Sequence, residues 1–247
     1  MLEYFTSSKQ ILEVQGLRPF LSKLGRFLFS SDHNAEIKNT IKHYSSEYGI
    51  FVDIGAARGS ITFDVAKNFM KCICFEPSPK NYQVFISKLK ENTFTNIVPY
   101  NCALGEKIRR QNFFLSQNNY GDNRFVKTPD EKFDSLEVEV NTLDSIFENL
   151  GIKEKCIIKI DVQGSELEVM KGALGVLDRD CIIISEFWPW GLSLNNVEPL
   201  EYVQFMKSLD YTFFDLHANP IKEEYIMRMC LLGKNKPQVM DDFLIKK

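Results

Sequence analysis

Four acidic residues close four apolar runs, and they are where this sequence could do chemistry. Ile50-Phe51-Val52-Asp53, Cys72-Ile73-Cys74-Phe75-Glu76, Ile157-Ile158-Lys159-Ile160-Asp161 and Ile182-Ile183-Ile184-Ser185-Glu186 each read as a buried strand with a carboxylate at its end. Asp53 runs into the small-residue turn Ile54-Gly55-Ala56-Ala57-Arg58-Gly59, and Glu76 follows about 20 residues on. In an α/β sheet that layout builds a nucleoside site beyond the carboxyl ends of the strands. Glycine lets the backbone turn sharply and come close to a ligand, and a carboxylate after the second strand can take both hydroxyls of a ribose. A single acid at a strand end can equally be a solvated cap. Four on one edge of one sheet are harder to read that way.

The turn after Asp53 is not a dinucleotide fingerprint. That pattern, G-x-G-x-x-G, needs a second glycine where the pyrophosphate presses on the backbone; here Gly55 is followed by Ala56, Ala57 and Arg58 before Gly59. A G-x-x-x-x-G-K-[ST] phosphate loop is absent as well. A ribose acid without the pyrophosphate glycine disfavours a nicotinamide oxidoreductase and suits a nucleoside that carries no phosphate, of which S-adenosylmethionine is the commonest.

The elements that must hold these residues alternate. Strands are expected at Ile50–Ile54, Lys71–Glu76, Ile97–Leu104, Cys156–Ile160, Cys181–Glu186 and Tyr211–Leu216, with helices at Ser60–Phe69, Pro79–Glu91, Thr142–Leu150, Ser165–Leu177 and Glu198–Leu209. This order predicts a parallel sheet with helices on both faces. Tyr225–Gly233 reads as a last strand in an antiparallel hairpin with its predecessor, which brings the sheet to seven strands. Residues 105–141 form an insertion read as two exposed strands around the polar loop Gln117–Arg124, and 235–247 as a loose polar tail. The first 48 residues read as a helical segment on the substrate side; the amphipathic run Leu17–Phe29 suits packing on the main domain or peripheral membrane contact through residues 1–30. The main domain is then 49–234.

Composition bounds the function. The 247 residues are 44% hydrophobic and 26% charged, ordinary for a globular chain with a sizeable core. A net charge of −3 argues against a dominant nucleic-acid surface, so no nucleic-acid partner is expected. The six cysteines lie in or at the end of apolar runs with no C-x-x-C pair, which reads as reduced core thiols. No stretch approaches the roughly 18 apolar residues of a membrane span, and the start of the chain lacks a signal-peptide pattern. A cytoplasmic location is expected.

Taken together, these residues resemble the FkbM family of S-adenosylmethionine-dependent methyltransferases. The pieces that carry the resemblance are Asp53-Ile54-Gly55-Ala56 with Gly59, Phe75-Glu76-Pro77-Ser78-Pro79-Lys80-Asn81, Asn101-Cys102-Ala103-Leu104-Gly105, Val140-Asn141-Thr142-Leu143-Asp144, Lys159-Ile160-Asp161-Val162-Gln163-Gly164-Ser165-Glu166, Lys171-Gly172-Ala173 and Ser185-Glu186. Two departures stand out: Ala57 where the family turn usually has Asn, and Gln163 where it usually has Glu. The resemblance implies a Rossmann-like seven-stranded, mostly parallel sheet and methyl transfer from S-adenosylmethionine to a hydroxyl, often on a sugar or polyketide-type product, with S-adenosylhomocysteine released. On that reading Gly55, Ala56, Ala57, Gly59 and Ser60 support the methionine part, with Asp53 fixing the turn. Glu76 binds the ribose hydroxyls, with Pro77 and Ser78 beside it among the cofactor-binding residues; Asn101, Cys102 and Ala103 border the adenine, and Asp161 lies near the methyl group.

Asp161 is the first candidate to steady the sulfonium or accept the substrate proton, and Glu186 the second; Glu166, Lys159 and His217 are weaker. A hydroxyl's high pKa makes a base useful. Asp161 and Glu186 sharing a divalent metal is the less favoured reading, and no metal ligands are assigned. Phe187-Trp188-Pro189-Trp190-Gly191 reads either as a plug over the sheet end or as a substrate wall. Two rivals remain. A nucleic-acid N-methyltransferase often has Asn/Asp-Pro-Pro-Tyr/Phe where this chain has Asp161-Val162-Gln163-Gly164. A scaffold protein could keep the cofactor fold without turnover.

Overall fold

The computed structural model describes residues 30–117 and 119–247. The chain divides into two compact units, Met1–Asn39 and Thr40–Lys247. In chain order the elements are α1 (Ser30–Tyr44), β1 (Ile50–Ile54), α2 (Thr62–Val65), β2 (Lys71–Phe75), α3 (Pro79–Glu91), β3 (Ile97–Tyr100), β4 (Ala103–Leu104), β5 (Arg109–Ser116), β6 (Phe133–Asn141), α4 (Leu143–Asn149), β7 (Cys156–Ile160), α5 (Glu166–Lys171), α6 (Leu174–Leu177), β8 (Ile182–Phe187), α7 (Pro189–Leu194), α8 (Pro199–Ser208), β9 (Thr212–Phe214), α9 (Glu223–Gly233) and β10 (Asp241–Lys246).

The central sheet runs β3-β2-β1-β7-β8-β10-β9. β1 pairs in parallel with both β2 and β7, β7 with β8 and β2 with β3, while β10 lies antiparallel between β8 and β9. All five residues of β1 and of β7 are buried, so these strands are covered on both faces rather than alternating between core and solvent. That is the pattern of a parallel strand covered by helices on either side. Strand order reverses between β1 and β7. An open α/β sheet has a crevice at its carboxyl edge at that point.

The insertion folds as a second sheet, β4-β6-β5. β5 and β6 pair antiparallel over their length from Arg109 opposite Val140 to Ser116 opposite Phe133. Only one face is buried, with Phe113, Val138 and Val140 packed on Ala103. The expected strand Ile97–Leu104 is therefore two strands in two sheets, parted at Asn101-Cys102. The expected helix Ser165–Leu177 also splits, at Gly172-Ala173. A Cβ on Gly172 would sit 2.0 Å from the Gly105 carbonyl, so the backbone of the second sheet's entry passes where a continuous helix would carry a side chain.

The end of the chain differs most from expectation. Tyr225–Gly233 is not a strand but belongs to helix α9, and the supposed polar tail 235–247 contains the seventh strand, β10. Ile226, Met229, Cys230 and Gly233 are the buried residues of α9, a helical spacing with Glu223 and Glu224 in the first turn. In β10, Asp242-Phe243-Leu244-Ile245 are all buried. Each of those three apolar side chains is worth roughly 1.5–3 kcal/mol on burial, enough to seat a short strand bounded by charged residues. The main domain thus reaches the end of the chain, and the antiparallel pair is β9 with β10. All six cysteines are buried and free, as read. Among the described residues no helix is long and apolar enough to cross a membrane. The run Leu17–Phe29 lies outside the described residues.

Candidate active site

The site is built from the turn after β1. Asp53 is buried on β1 and accepts from Thr62 Oγ1 at 2.5 Å, which ties the strand to the start of α2. Opposite it in register, Lys159 of β7 sets its ammonium 3.4 Å from Asp53 Oδ1 and 3.6 Å from Asp161 Oδ2, and donates to the Gly55 carbonyl at 3.1 Å. Burial works against a charge on Lys159, but Asp53 and Asp161 outweigh it and hold its pKa above that of an ordinary lysine. Asp53 and Lys159 are thus the buried strut beneath the turn.

Gly55 has φ +78°, and a Cβ there would lie 1.9 Å from the Asp161 carbonyl. A Cβ on Gly59, also at φ +78°, would meet the rings of Phe63 and Phe85. Both glycines answer to packing of the turn on its own protein. Ala57 takes φ +48° and aims its N–H at Glu76 Oε2, 2.9 Å away.

Glu76 follows β2 and is buried. Its other oxygen, Oε1, accepts the Ser78 N–H at 2.8 Å. Burial pushes its carboxyl up to about 7, against the pull of those two N–H groups. Ser78 caps α3 with Pro79 behind it, so the helix start and the Glu76 site form one unit. Asn101 donates to the Glu76 and Pro77 carbonyls at 2.8 and 3.2 Å, bracing the same loop from β3.

A cavity of about 70 Å³ lies at this edge, lined by Gly55, Ala57, Glu76 and Pro77 on one side, Cys102, Ala103 and Leu104 on another, and Asp161 to Gln163 at the far end. The structure thus gathers Gly55, Ala57, Glu76, Pro77, Cys102, Ala103 and Asp161 round one space. Asp53, Ala56, Gly59, Ser78 and Asn101 are not part of its lining, and Asn101 is exposed. Ser60 is exposed and Glu186 is set back. His217 is exposed in the turn after β9, outside the lining.

Sequence reasoning missed the roof. Phe113 of β5 and Tyr120, Gly121, Asn123 and Phe125 of the following loop complete the cavity. Asn81 Nδ2 donates to the Tyr120 carbonyl at 2.9 Å, and the Arg58 guanidinium stacks on the Tyr120 ring, 3.8 Å from its centroid. Beneath the loop Arg124 is almost wholly buried, bonded to Asp122, Glu131 and the Val126 carbonyl, with Phe133, Trp188 and Trp190 around it. Asp122, two residues before Arg124, was the available signal; Glu131 lies seven residues on. Trp188 is buried and donates its indole N–H to the Pro237 carbonyl at 2.7 Å, so the aromatic run is largely a plug, with Trp190 half-exposed.

At the far end Gln163, at φ +55°, donates its amide to Asp161 Oδ1 at 2.8 Å and to Glu186 Oε2 at 3.0 Å. Glu166 is buried. Its Oε1 accepts the Val162 and Gly164 N–H groups at 3.3 and 3.1 Å, and its Oε2 has no hydrogen-bond partner. Burial raises the Glu166 carboxyl to about 7. Burial, then the Asp161, Asp242 and Glu166 carboxylates, raise Glu186 well above the usual carboxylate range. Among the described residues no group of three or more His, Cys, Asp or Glu is placed to hold a metal ion.

The residues fit an adenosine-type ligand in kind. Each oxygen of Glu76 holds one backbone N–H and keeps a lone pair for a ribose hydroxyl, and Cys102, Ala103, Leu104, Phe113 and Phe125 offer an apolar slot for a base. Tyr120, Gly121, Asn123 and Phe125 line its rim, so the loop after β5 borders whatever the cavity holds.

Comparison with known proteins bears on the family and the fold. The family model for the methyltransferase FkbM domain matches residues 53–213. The structure of methyltransferase FkbM from Methylobacillus flagellatus KT is 20% identical, with a TM-score of 0.51, over 81% of this chain and 44% of that one. It shares the fold, and this chain spans less than half its length. An rRNA methylase from Streptococcus thermophilus (12% identical, TM-score 0.46, 85% of this chain and 93% of that one) and a Streptococcus mutans protein in complex with SAH (11%, 0.45, 83% and 94%) are also similar. None of the curated proteins matches.

Proposed function

Because the chain belongs to the FkbM methyltransferase family, we propose that it moves a methyl group from S-adenosylmethionine to a hydroxyl of a sugar, glycan or related natural product. The observation that carries the proposal is a single cavity with the buried Glu76 at one end and Asp161 at the other, joined by the turn at Gly55–Ala57. S-adenosylmethionine supplies a methyl already activated on a sulfonium. The chain has to bind, orient and exclude water.

Glu76 would hold the ribose hydroxyls, with Pro77 beside it. Cys102 and Ala103 would face the base, and the Ala57 turn the methionine part. Asp161 is 41% exposed on its side chain, so it can meet both a sulfonium and an acceptor. It would take the hydroxyl proton as the acceptor oxygen bonds to the methyl carbon and the sulfur–methyl bond breaks, with S-adenosylhomocysteine as the leaving group. Lys159 keeps that carboxylate in place from behind. The net charge of −3 supports a small-molecule acceptor over a nucleic acid, and six free buried cysteines support a reducing, cytoplasmic setting.

The test is transfer of radiolabelled methyl to a panel of mono- and oligosaccharides, with RNA as the comparison. Label on a sugar hydroxyl, reduced at least about 100-fold in Asp161→Asn, is the expected result. Label on RNA alone overturns the choice of acceptor.

A further inference from the structure

Gln163 stands where a cation could sit between Asp161 and Glu186. Its amide nitrogen reaches one oxygen of each, at 2.8 and 3.0 Å, and an amide N–H can donate but cannot coordinate. The backbone is shaped for this contact. Gln163 holds φ +55°, a region costly for a residue other than glycine. The N–H groups on both sides of it, from Val162 and Gly164, are tied to Glu166 Oε1. Gly164 follows at φ +98°, where a Cβ would lie 2.3 Å from the Gly191 carbonyl of α7. The loop is clamped from two sides, and the Gln163 side chain is turned back onto the acids.

We infer that Gln163 is the positioning residue of this wall: its amide holds Asp161 and Glu186 as a pair, in place of a cation, with Asp161 presented to the methyl donor. The inference rests on the methyltransferase reading for the donor but on geometry alone for the pair. Among the described residues, the charged groups that act on the pair come from four elements. Lys159 comes from β7, 3.6 Å from Asp161 Oδ2. Glu166 comes from α5, Asp242 of β10 is the register partner of Glu186 on β8, and Asp53 of β1 acts through Lys159. Three carboxylates and one ammonium crowd Glu186, and the Gln163 amide is the neutral donor that lets Glu186 lie close to Asp161.

The experiment uses the full chain and two near-isosteric variants, Gln163→Met and Gln163→Glu, followed by carboxyl carbon-13 NMR across pH. In the wild type, Glu186 should titrate above the usual carboxylate range. In Gln163→Met it should move up by about one pH unit, a tenfold change in its ionisation constant, because a donor to its charged form is lost. Gln163→Glu should move it further. Wild-type titration of Glu186 in the ordinary range overturns the inference without any variant. So does an unchanged midpoint in both folded variants.

A second readout uses S-adenosylmethionine and S-adenosylhomocysteine as probes. Gln163→Glu adds negative charge near the sulfonium and should raise the preference for the charged ligand roughly three- to tenfold; an equal effect on the two ligands contradicts the placing of Asp161 at the methyl donor. If neither ligand binds the wild type, the methyltransferase reading fails, and the NMR titration still decides the pair.

Discussion

Glu76 is a carboxylate that the fold buries before any ligand arrives. It and Glu166 both have carboxyls raised to about 7 by burial. A raised folded-state pKa means the native state keeps its proton longer than the unfolded chain. Stability is therefore complete below about pH 4.5 for these two groups and falls as pH rises through 7. The loss is on the order of 3 kcal/mol for each. Urea unfolding at pH 5 and pH 8 should show a higher midpoint at the lower pH, and Glu166→Gln should shrink the difference. A midpoint that rises between those pH values would contradict the burial of these acids. Glu166→Gln is the cleaner probe, because its Oε2 has no partner to lose. At this scale the sequence was informative about strand-end acids and silent about their neighbours. Asp53, Glu76 and Asp161 could be placed because each closes an apolar run. The Gln163 contact could not, because it depends on a left-handed backbone that glutamine seldom adopts.

The turn between β1 and α2 shows how an element makes a site. Its glycines serve packing: a methyl group on Gly55 would press on the Asp161 carbonyl and drive β1 and β7 apart at the switch point. Gly55→Ala should cost roughly 3–5 kcal/mol and lower the melting temperature by about 10 °C. A calorimetric melt within about 2 °C of wild type would show that the turn can relax. The roof is a second element with a testable role. Tyr120 is pinned through its carbonyl by Asn81 and through its ring by Arg58. Tyr120→Ala should loosen the rim and speed ligand association several-fold in stopped-flow traces, with the fold intact. β1, β2 and α3 were legible because period and flanking residues agree there, and α3 begins at Pro79 as expected, with Ser78 as its cap; the expected helix Ser60–Phe69 is shorter, an α-helix over Thr62–Val65 continued by a 3-10 turn over Ala66–Asn68. Helix α9 was misread because Tyr225–Gly233 is a short apolar run, and such a run fits a strand as well as a helix until its buried face is known.

For the whole molecule, the last residues matter more than their polarity suggests. β10 is the only described strand that bonds to both β8 and β9. Removing residues 241–247 should leave β9 unpaired and expose the edge of β8. That chain should lose its cooperative thermal transition, whereas a loose tail would be dispensable. The sequence did not reveal this, because six residues with charged ends carry too little pattern to stand out. The second sheet was likewise read as exposed strands, although one of its faces closes the cavity with Phe113. What unites the molecule is the carboxyl edge of the central sheet, where β1, β2 and β7 bring Glu76, the Gly55 turn and Asp161 around one space. The central claim is that this space holds the nucleoside of a methyl donor. Titration calorimetry with S-adenosylhomocysteine, on wild type and Glu76→Ala, with NAD as the control, tests it most directly. The account predicts saturable binding by the wild type, at least about tenfold weaker in the variant, and no heat from NAD. Tight NAD binding, or S-adenosylhomocysteine binding that Glu76→Ala leaves unchanged, would contradict it.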